Sequence, residues 1–269
     1  MKKLLLSFGM AALALGTSAQ ETVYLFEDFE WLEPWTLEGV GDCAGTNDPS
    51  TDAPQISKQK NADGVTSEAA MKEKGYDFIR DCASSKTPGE CIYLQKNYLR
   101  FGKTGYQGGI ILPSLDIPEG TAVNVSFKWF SQRQGSGVID PTQLVIKVEN
   151  GEDVKVFEVP TLQSLGWEND HALEWVTAEI PLTDATVTKD SKISIVNSDD
   201  QLKSSKALRW HLDDLKVYAA DGGSAVAEIA ADENAPVEYY NLQGVRVNNP
   251  ENGLYIVKQG NKVEKRIIR

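Results

Sequence analysis

A chain of 269 residues, 41% hydrophobic and 9% aromatic, has enough apolar side chains for one or two cores, which excludes disordered, collagen-like and coiled-coil architectures. Its 27 Lys and Arg stand against 39 Asp and Glu, a net charge of −12 with an isoelectric point near 4.7, so no nucleic-acid partner is expected.

Lys2 and Lys3 precede an apolar stretch from Leu4 to Leu15, and Gly16-Thr17-Ser18-Ala19 closes it with small residues, so 1–19 reads as a signal peptide. The stretch is shorter than the roughly 20 residues a membrane-spanning helix needs. No later run reaches that length, so no transmembrane segment is predicted and the protein is expected to be exported, to the outer-membrane surface or beyond. Tyr24-Leu25-Phe26-Glu27-Asp28-Phe29-Glu30 then sets three carboxylates in and beside a strand-like run. Residues 36–75 are rich in Gly, Asp, Asn, Pro, Ser and Thr, and read as a loop-dominated insertion with a short helix over 67–73 and a candidate rim for a binding surface. An acid pair could sit among its Asp42, Asp48 and Asp52, which lie in a loop without an ordered partner motif.

Cys82 and Cys91 flank the turn-rich Ser84-Ser85-Lys86-Thr87-Pro88-Gly89, which makes a local disulfide between them sterically easy; Cys43 is a competing partner. From residue 92 onward short β-type runs alternate with Gly, Pro, Asn and Asp, the pattern of an all-β sandwich. Over 123–130 the period is two, with Val123, Val125, Phe127 and Trp129 on one side and Asn124, Ser126, Lys128 and Phe130 on the other. His171 and His211 are the only histidines and lie in no zinc-binding or nucleophile-elbow motif. The last strand of the sandwich, Trp210-His211-Leu212-Asp213-Asp214-Leu215-Lys216-Val217, changes parity between Leu212 and Leu215, which predicts a bulge at 212–214. Carboxylates among strand-forming apolar residues call for partners or a hard cation such as calcium; the alternative is solvated charge guarding sheet edges.

Phe29-Glu30 with Pro34-Trp35, the run Tyr98-Leu99-Arg100-Phe101-Gly102-Lys103, then Ile110-Ile111-Leu112-Pro113-Ser114-Leu115, Val125-Ser126-Phe127-Lys128-Trp129 and the closing Leu212-Asp213-Asp214-Leu215-Lys216-Val217 together resemble the secreted jelly-roll sandwiches of carbohydrate-binding modules, meprin-type adhesion domains and cleaved-adhesin domains of Bacteroidetes. The resemblance spans about 22–218. It implies an all-β, jelly-roll β-sandwich over 20–218 with a structural calcium on Glu30 and Asp213, and Asp28 and Asp214 as further candidates. It also implies a ligand face on which an exposed ring covers a sugar. By parity Lys128, Phe130 and Gln132 line that face on one strand, and Arg209 and His211 on the last; Trp167, in a loop-like stretch, is an exposed-ring candidate. Trp35, Trp129, Trp175 and Trp210 read as core.

Residues 219–236 read as a linker. Beyond them, 237–269 give three strand-like runs with six basic and three acidic residues, a small C-terminal β-domain. Tyr240-Asn241, Gly244, Val247, Gly253-Leu254-Tyr255 and the terminal basic run resemble the sorting domain of the type IX secretion system, which implies recognition by that secretion machinery. An accessory β-domain is the alternative. The functional expectation is a non-catalytic adhesion module for a glycan or for a host or surface protein. A glycan hydrolase or lyase on the same fold, and a purely structural surface protein, are the other readings.

Overall fold

The alternating run over 123–130 becomes the middle of a six-stranded antiparallel sheet in the computed structural model, which describes residues 21–38, 40, 43, 53–220, 237–241, 246–247, 250, 253–259 and 262–268. The signal-peptide reading, Asp42, Asp48, Asp52 and the linker reading over 221–236 lie outside the described residues. Contacts divide the chain into two units, Met1–Gly223 and Ser224–Arg269.

The first unit is a β-sandwich of jelly-roll type. Its strands are β1 (Val23–Glu27), β2 (Asp77–Cys82), β3 (Ile92–Gln95), β4 (Tyr98–Phe101), β5 (Tyr106–Ile111), β6 (Val123–Ser131), β7 (Leu144–Asn150), β8 (Asp153–Glu158), β9 (Val176–Pro181), β10 (Lys192–Asn197) and β11 (Trp210–Ala219). The first sheet runs β3-β4-β11-β6-β9 with β1 also on β11, and the second β2-β5-β10-β7-β8. Leu99, Phe101, Phe127, Trp129, Trp210 and Leu212 from the first sheet meet Ile110, Ile146, Val148, Ile193 and Ile195 from the second, all buried in one cluster. Phe101 stacks on Trp210 with ring centroids 4.2 Å apart. At Gly109 β5 and β10 come so close that a Cβ would stand 2.4 Å from the Ile195 carbonyl oxygen, so only glycine fits there.

The central strand β11 carries a bulge. Asp213 pairs with Lys128 and Lys216 with Ser126, so β11 holds one residue more than β6, and Asp214 takes it up with φ 45°. Trp210 and Leu212 before the bulge and Leu215 and Val217 after it are all fully buried. The strand pairs with β4 through 210–212 and with β1 through 215–218. After β1 the chain turns through left-handed Phe29 (φ 54°) into a 3-10 helix, Glu30–Trp35. The buried Glu27 holds this turn, accepting from Phe29 N (2.7 Å), Trp31 Nε1 (2.9 Å) and Tyr76 Oη (3.0 Å).

The insertion packs back on the first sheet. Gln55 bridges to Tyr93, Ile56 N donates to Ile92 O, and Leu94 N donates to Pro54 O, so its backbone extends the free edge of β3. Its helix, α1 (Ser67–Glu73), starts where Thr66 Oγ1 accepts from Ala69 N and buries Ser67 and Met71 one turn apart. Arg80 of β2 pairs with Glu68 (3.0 Å) and Glu90 (3.1 Å), tying that helix to the second sheet.

Cys82 and Cys91 are not joined, contrary to the sequence expectation. Cys82 lies on β2, where its thiol turns to Lys86 O, whereas Cys91, just before β3, donates to Gln107 O at 3.3 Å. The turn between them delivers the two sulfurs to different carbonyls rather than to each other. Burial pushes the Cys91 thiol up to about 12.

The second unit is an antiparallel sheet of four strands where three runs were expected: β12 (Val237–Tyr240), β13 (Arg246–Val247), β14 (Gly253–Gln259) and β15 (Lys262–Ile268), in the order β13-β12-β14-β15. Tyr239 and Tyr255 meet edge to face at 6.5 Å, and Arg246 pairs with Glu238.

Candidate ligand face and carboxylate cluster

Strand pairing fixes which side chains share the outer face of the first sheet, the one turned away from the second. One row crosses it as Tyr93, Arg100, His211 and Phe130; the next holds Asp213, Lys128 and Thr177, with Gln95 and Tyr98 beside them. A third row reads Phe26, Lys216, Ser126 and Glu179. The face therefore has two halves.

The half bearing Phe130 is covered. Val40 and Ala53 of the insertion pack on Tyr93, and Cys43 N donates to Tyr98 Oη at 3.0 Å. His211 stacks on Phe130 (4.3 Å), Tyr98 stands edge-on to His211 (5.7 Å), and Trp175 meets both Phe130 (4.7 Å) and Tyr98 (5.0 Å). Three expected ligand residues, Phe130, Gln132 and His211, are thus fully buried rather than exposed, because a segment remote in sequence folds over the strands that carry them. Burial, and after it the Arg100 charge, holds the His211 imidazole well below its ordinary range, so the ring is neutral. Arg100 itself is 4% exposed, with its guanidinium over the Tyr93 ring at 4.2 Å.

Two more expected surface residues are structural. Arg209 makes a two-pronged ion pair with the fully buried Asp140 (Nε to Oδ2 2.7 Å, Nη2 to Oδ1 3.2 Å), to which Gln134 Nε2 adds a bond of 2.9 Å. Trp167 is buried and stacks on His171 at 4.1 Å, while Arg133 donates to the carbonyls of Asn169 and His171 and closes that loop. Of the four tryptophans read as core, Trp35, Trp129 and Trp210 are buried and Trp175 is half-buried.

The other half is open. Phe26 is 60% exposed and flanked by Lys216, which pairs with Glu21 and lies over the Tyr218 ring; Thr177 and Glu179 are exposed beside it. Lys128 stands here as well, bonded to Asp214 Oδ2 at 2.6 Å.

At the seam between the halves, the β11 bulge and the end of β1 bring carboxylates together. Asp213 is pushed up to about 7 by burial, with the charges of Asp214 and Glu30 adding to the shift. Glu30 Oε2 accepts from Asn97 Nδ2 at 2.6 Å, Asp28 Oδ1 from Glu30 N at 3.2 Å, and Asp213 Oδ1 from Asp214 N at 2.9 Å. A carboxyl whose ionisation is penalised by burial and, after it, by acidic neighbours has the chemistry a hard cation satisfies. Among the described residues, however, no three acidic, His or Cys side chains gather closely enough to hold a metal by themselves, so main-chain or solvent oxygens would have to complete the shell.

Sequence reasoning missed Tyr93, Arg100 and Phe26 as members of this face and Glu27 as the buried carboxylate of the turn. Arg100 was the findable one, a lone cation between Leu99 and Phe101 in an otherwise apolar strand.

No protein-family model matches the chain, and no curated protein matches it. Among solved structures it is similar to the family 11 carbohydrate-binding module of the cellulosomal cellulase Lic26A-Cel5E of Clostridium thermocellum, at 16% identity over 54% of this chain and 84% of that one, TM-score 0.28. It is also similar to the xylan-binding module CBM15, at 10% identity over 53% and 90%, TM-score 0.32. A third is the K1 cleaved adhesin domain of Lys-gingipain from Porphyromonas gingivalis W83, at 9% identity over 54% and 90%, TM-score 0.30. No helix among the described residues is long and apolar enough to cross a membrane.

Proposed function

We propose that the sandwich is an exported, non-catalytic glycan-binding module whose ligand lies on the open half of the outer face. One observation carries the reading: the exposed Phe26 ring shares one face of the sheet with the hydrogen-bonding groups of Lys216, Ser126, Thr177 and Glu179. A planar apolar surface bordered by polar groups suits the C–H face and hydroxyls of a sugar. A glycan array probed with the full chain tests it. Saturable binding to one glycan class, weakened about tenfold or more by Phe26→Ala, supports the reading; a blank array with an intact fold overturns it.

Calcium belongs to the same proposal as a structural ion, with Asp213, Glu30 and Asp214 as its carboxylates and Asp28 next in line. It would supply positive charge to a seam where acidic groups crowd. The tail over 237–269 is proposed to engage secretion machinery and carry the module to the cell surface. Deleting it leaves the sandwich folded but retained in the periplasm; undiminished surface display of the deleted chain overturns that role.

A second reading has its own observation. Asp213, near 7 and beside other carboxylates, has the property a general acid of glycoside cleavage requires. Release of reducing ends from the bound glycan, abolished by Asp213→Asn, would replace the binding module by a hydrolase.

A further inference from the structure

The edge of a sheet offers unpaired main-chain groups to any other strand, and most edges of this sandwich are closed against that. The insertion covers β3 through the bridge from Gln55 to Tyr93. β1 is short and bulged between Val23 and Leu25. On β9 the positions facing away from β6 are Thr177, Glu179 and Pro181, the last with no N–H to give. On β2 the outward N–H groups of Phe78 and Cys82 donate to the carboxylates of Asp77 (2.9 Å) and Asp81 (2.7 Å).

β8, the last strand of the second sheet, has no such device. Its six residues contain no proline and pair with β7 without a bulge. Val159 N donates to Leu144 O, which sets the phase of the ladder: Asp153, Lys155 and Phe157 bond to β7, and Val154, Val156 and Glu158 turn their N–H and C=O groups outward. Among the described residues nothing bonds to that outward row. Val154 and Val156 are also 46% and 50% exposed.

The strand is complementary to itself in one register. We propose that β8 pairs antiparallel with β8 of a second copy of this chain, with Val156 opposite Val156 at the two-fold axis. Val154 then faces Glu158 of the second copy and Lys155 lies beside its Phe157, so no like charges meet. A shift that centres the pair on Lys155 sets Lys155 against Lys155 and Glu152 against Glu158. Centring on Val154 draws the turn residue Glu152 into the ladder. The lysine of the strand therefore selects the register. Two-fold pairing consumes both edges, so assembly stops at a dimer. Because β8 belongs to the sheet without Phe26, each dimer keeps two ligand faces, and the inference stands apart from the glycan reading.

Sedimentation velocity of the full chain over a rising concentration series tests it. A monomer–dimer equilibrium appears, and Val156→Lys, which sets two charges against each other at the axis, weakens it about tenfold or more without changing the melting temperature. The register has its own readout, since the native cysteines are buried. Val156→Cys places two Cα atoms about 5.5 Å apart, within disulfide reach, whereas Val154→Cys leaves them about 14 Å apart. Under mild oxidation the first forms a covalent dimer and the second does not. A chain that stays monomeric at every concentration, a dimer indifferent to Val156→Lys, open-ended oligomers, or equal cross-linking of the two cysteine variants overturns the proposal.

Discussion

Phe26 and Phe130 stand on the same face of one sheet, two rows apart; the first is 60% exposed and the second fully buried. Phe26 lies on β1 and Phe130 on β6, but both strands alternate in the same way. What differs is that Val40, Cys43 and Ala53 pack over the row holding Phe130, through Tyr93 and Tyr98, while Phe26 stays open. Burial on a sheet face is thus decided by a third layer contributed from elsewhere in the chain, and the same alternating pattern yields core in one half and surface in the other.

Stability measurements can break this contrast most directly. Phe130→Ala and Asp140→Ala should each cost about 3–5 kcal/mol in urea unfolding, the first by a cavity and the second by leaving the half-buried Arg209 without its carboxylate. Phe26→Ala should stay within about 0.5 kcal/mol of the native chain while losing glycan affinity. Comparable losses for the two phenylalanines would erase the distinction between the halves.

At the seam, calcium in large excess over its dissociation constant should raise the melting temperature by about 5 °C, with Asp213→Asn abolishing the gain. Identical melting with calcium and with chelator would remove the ion from the account.

The smallest effect concerns the thiol of Cys91, which should resist alkylation at pH 8 in the native state and react on unfolding. Its folded value, raised to about 12, lies above the ordinary thiol value of 9.0. The stability it contributes is therefore full below pH 9 and is lost as pH rises from there toward 12. Fast native labelling at pH 8 would show that the β3 edge opens readily.

Much of the sandwich was legible because strands announce themselves locally. The period of two over 123–130 assigned Phe127 and Trp129 to the core, and the parity change between Leu212 and Leu215 located the bulge that Asp214 makes. Parity also put Lys128, Phe130 and His211 on one face. It could not say that this face is partly roofed, since the roof comes from the insertion, whose polar composition reads as loop. Arg209 was misplaced for a related reason: its partner Asp140 lies 69 positions away, and only folding brings the two together. The cysteines show the converse, since closeness in sequence did not make Cys82 and Cys91 a disulfide.

The bulge at Asp214 gives the closing strand a reading frame. Drawing Asp214 into the ladder as an ordinary paired residue would turn Lys216 and Tyr218 into the sandwich and Leu215 and Val217 out to solvent. Removing the residue would do less harm than pairing it: deletion sets Leu215 opposite Phe127 and leaves every later side chain on its present face, and Asp214→Gly keeps the left-handed turn while forfeiting the bond to Lys128.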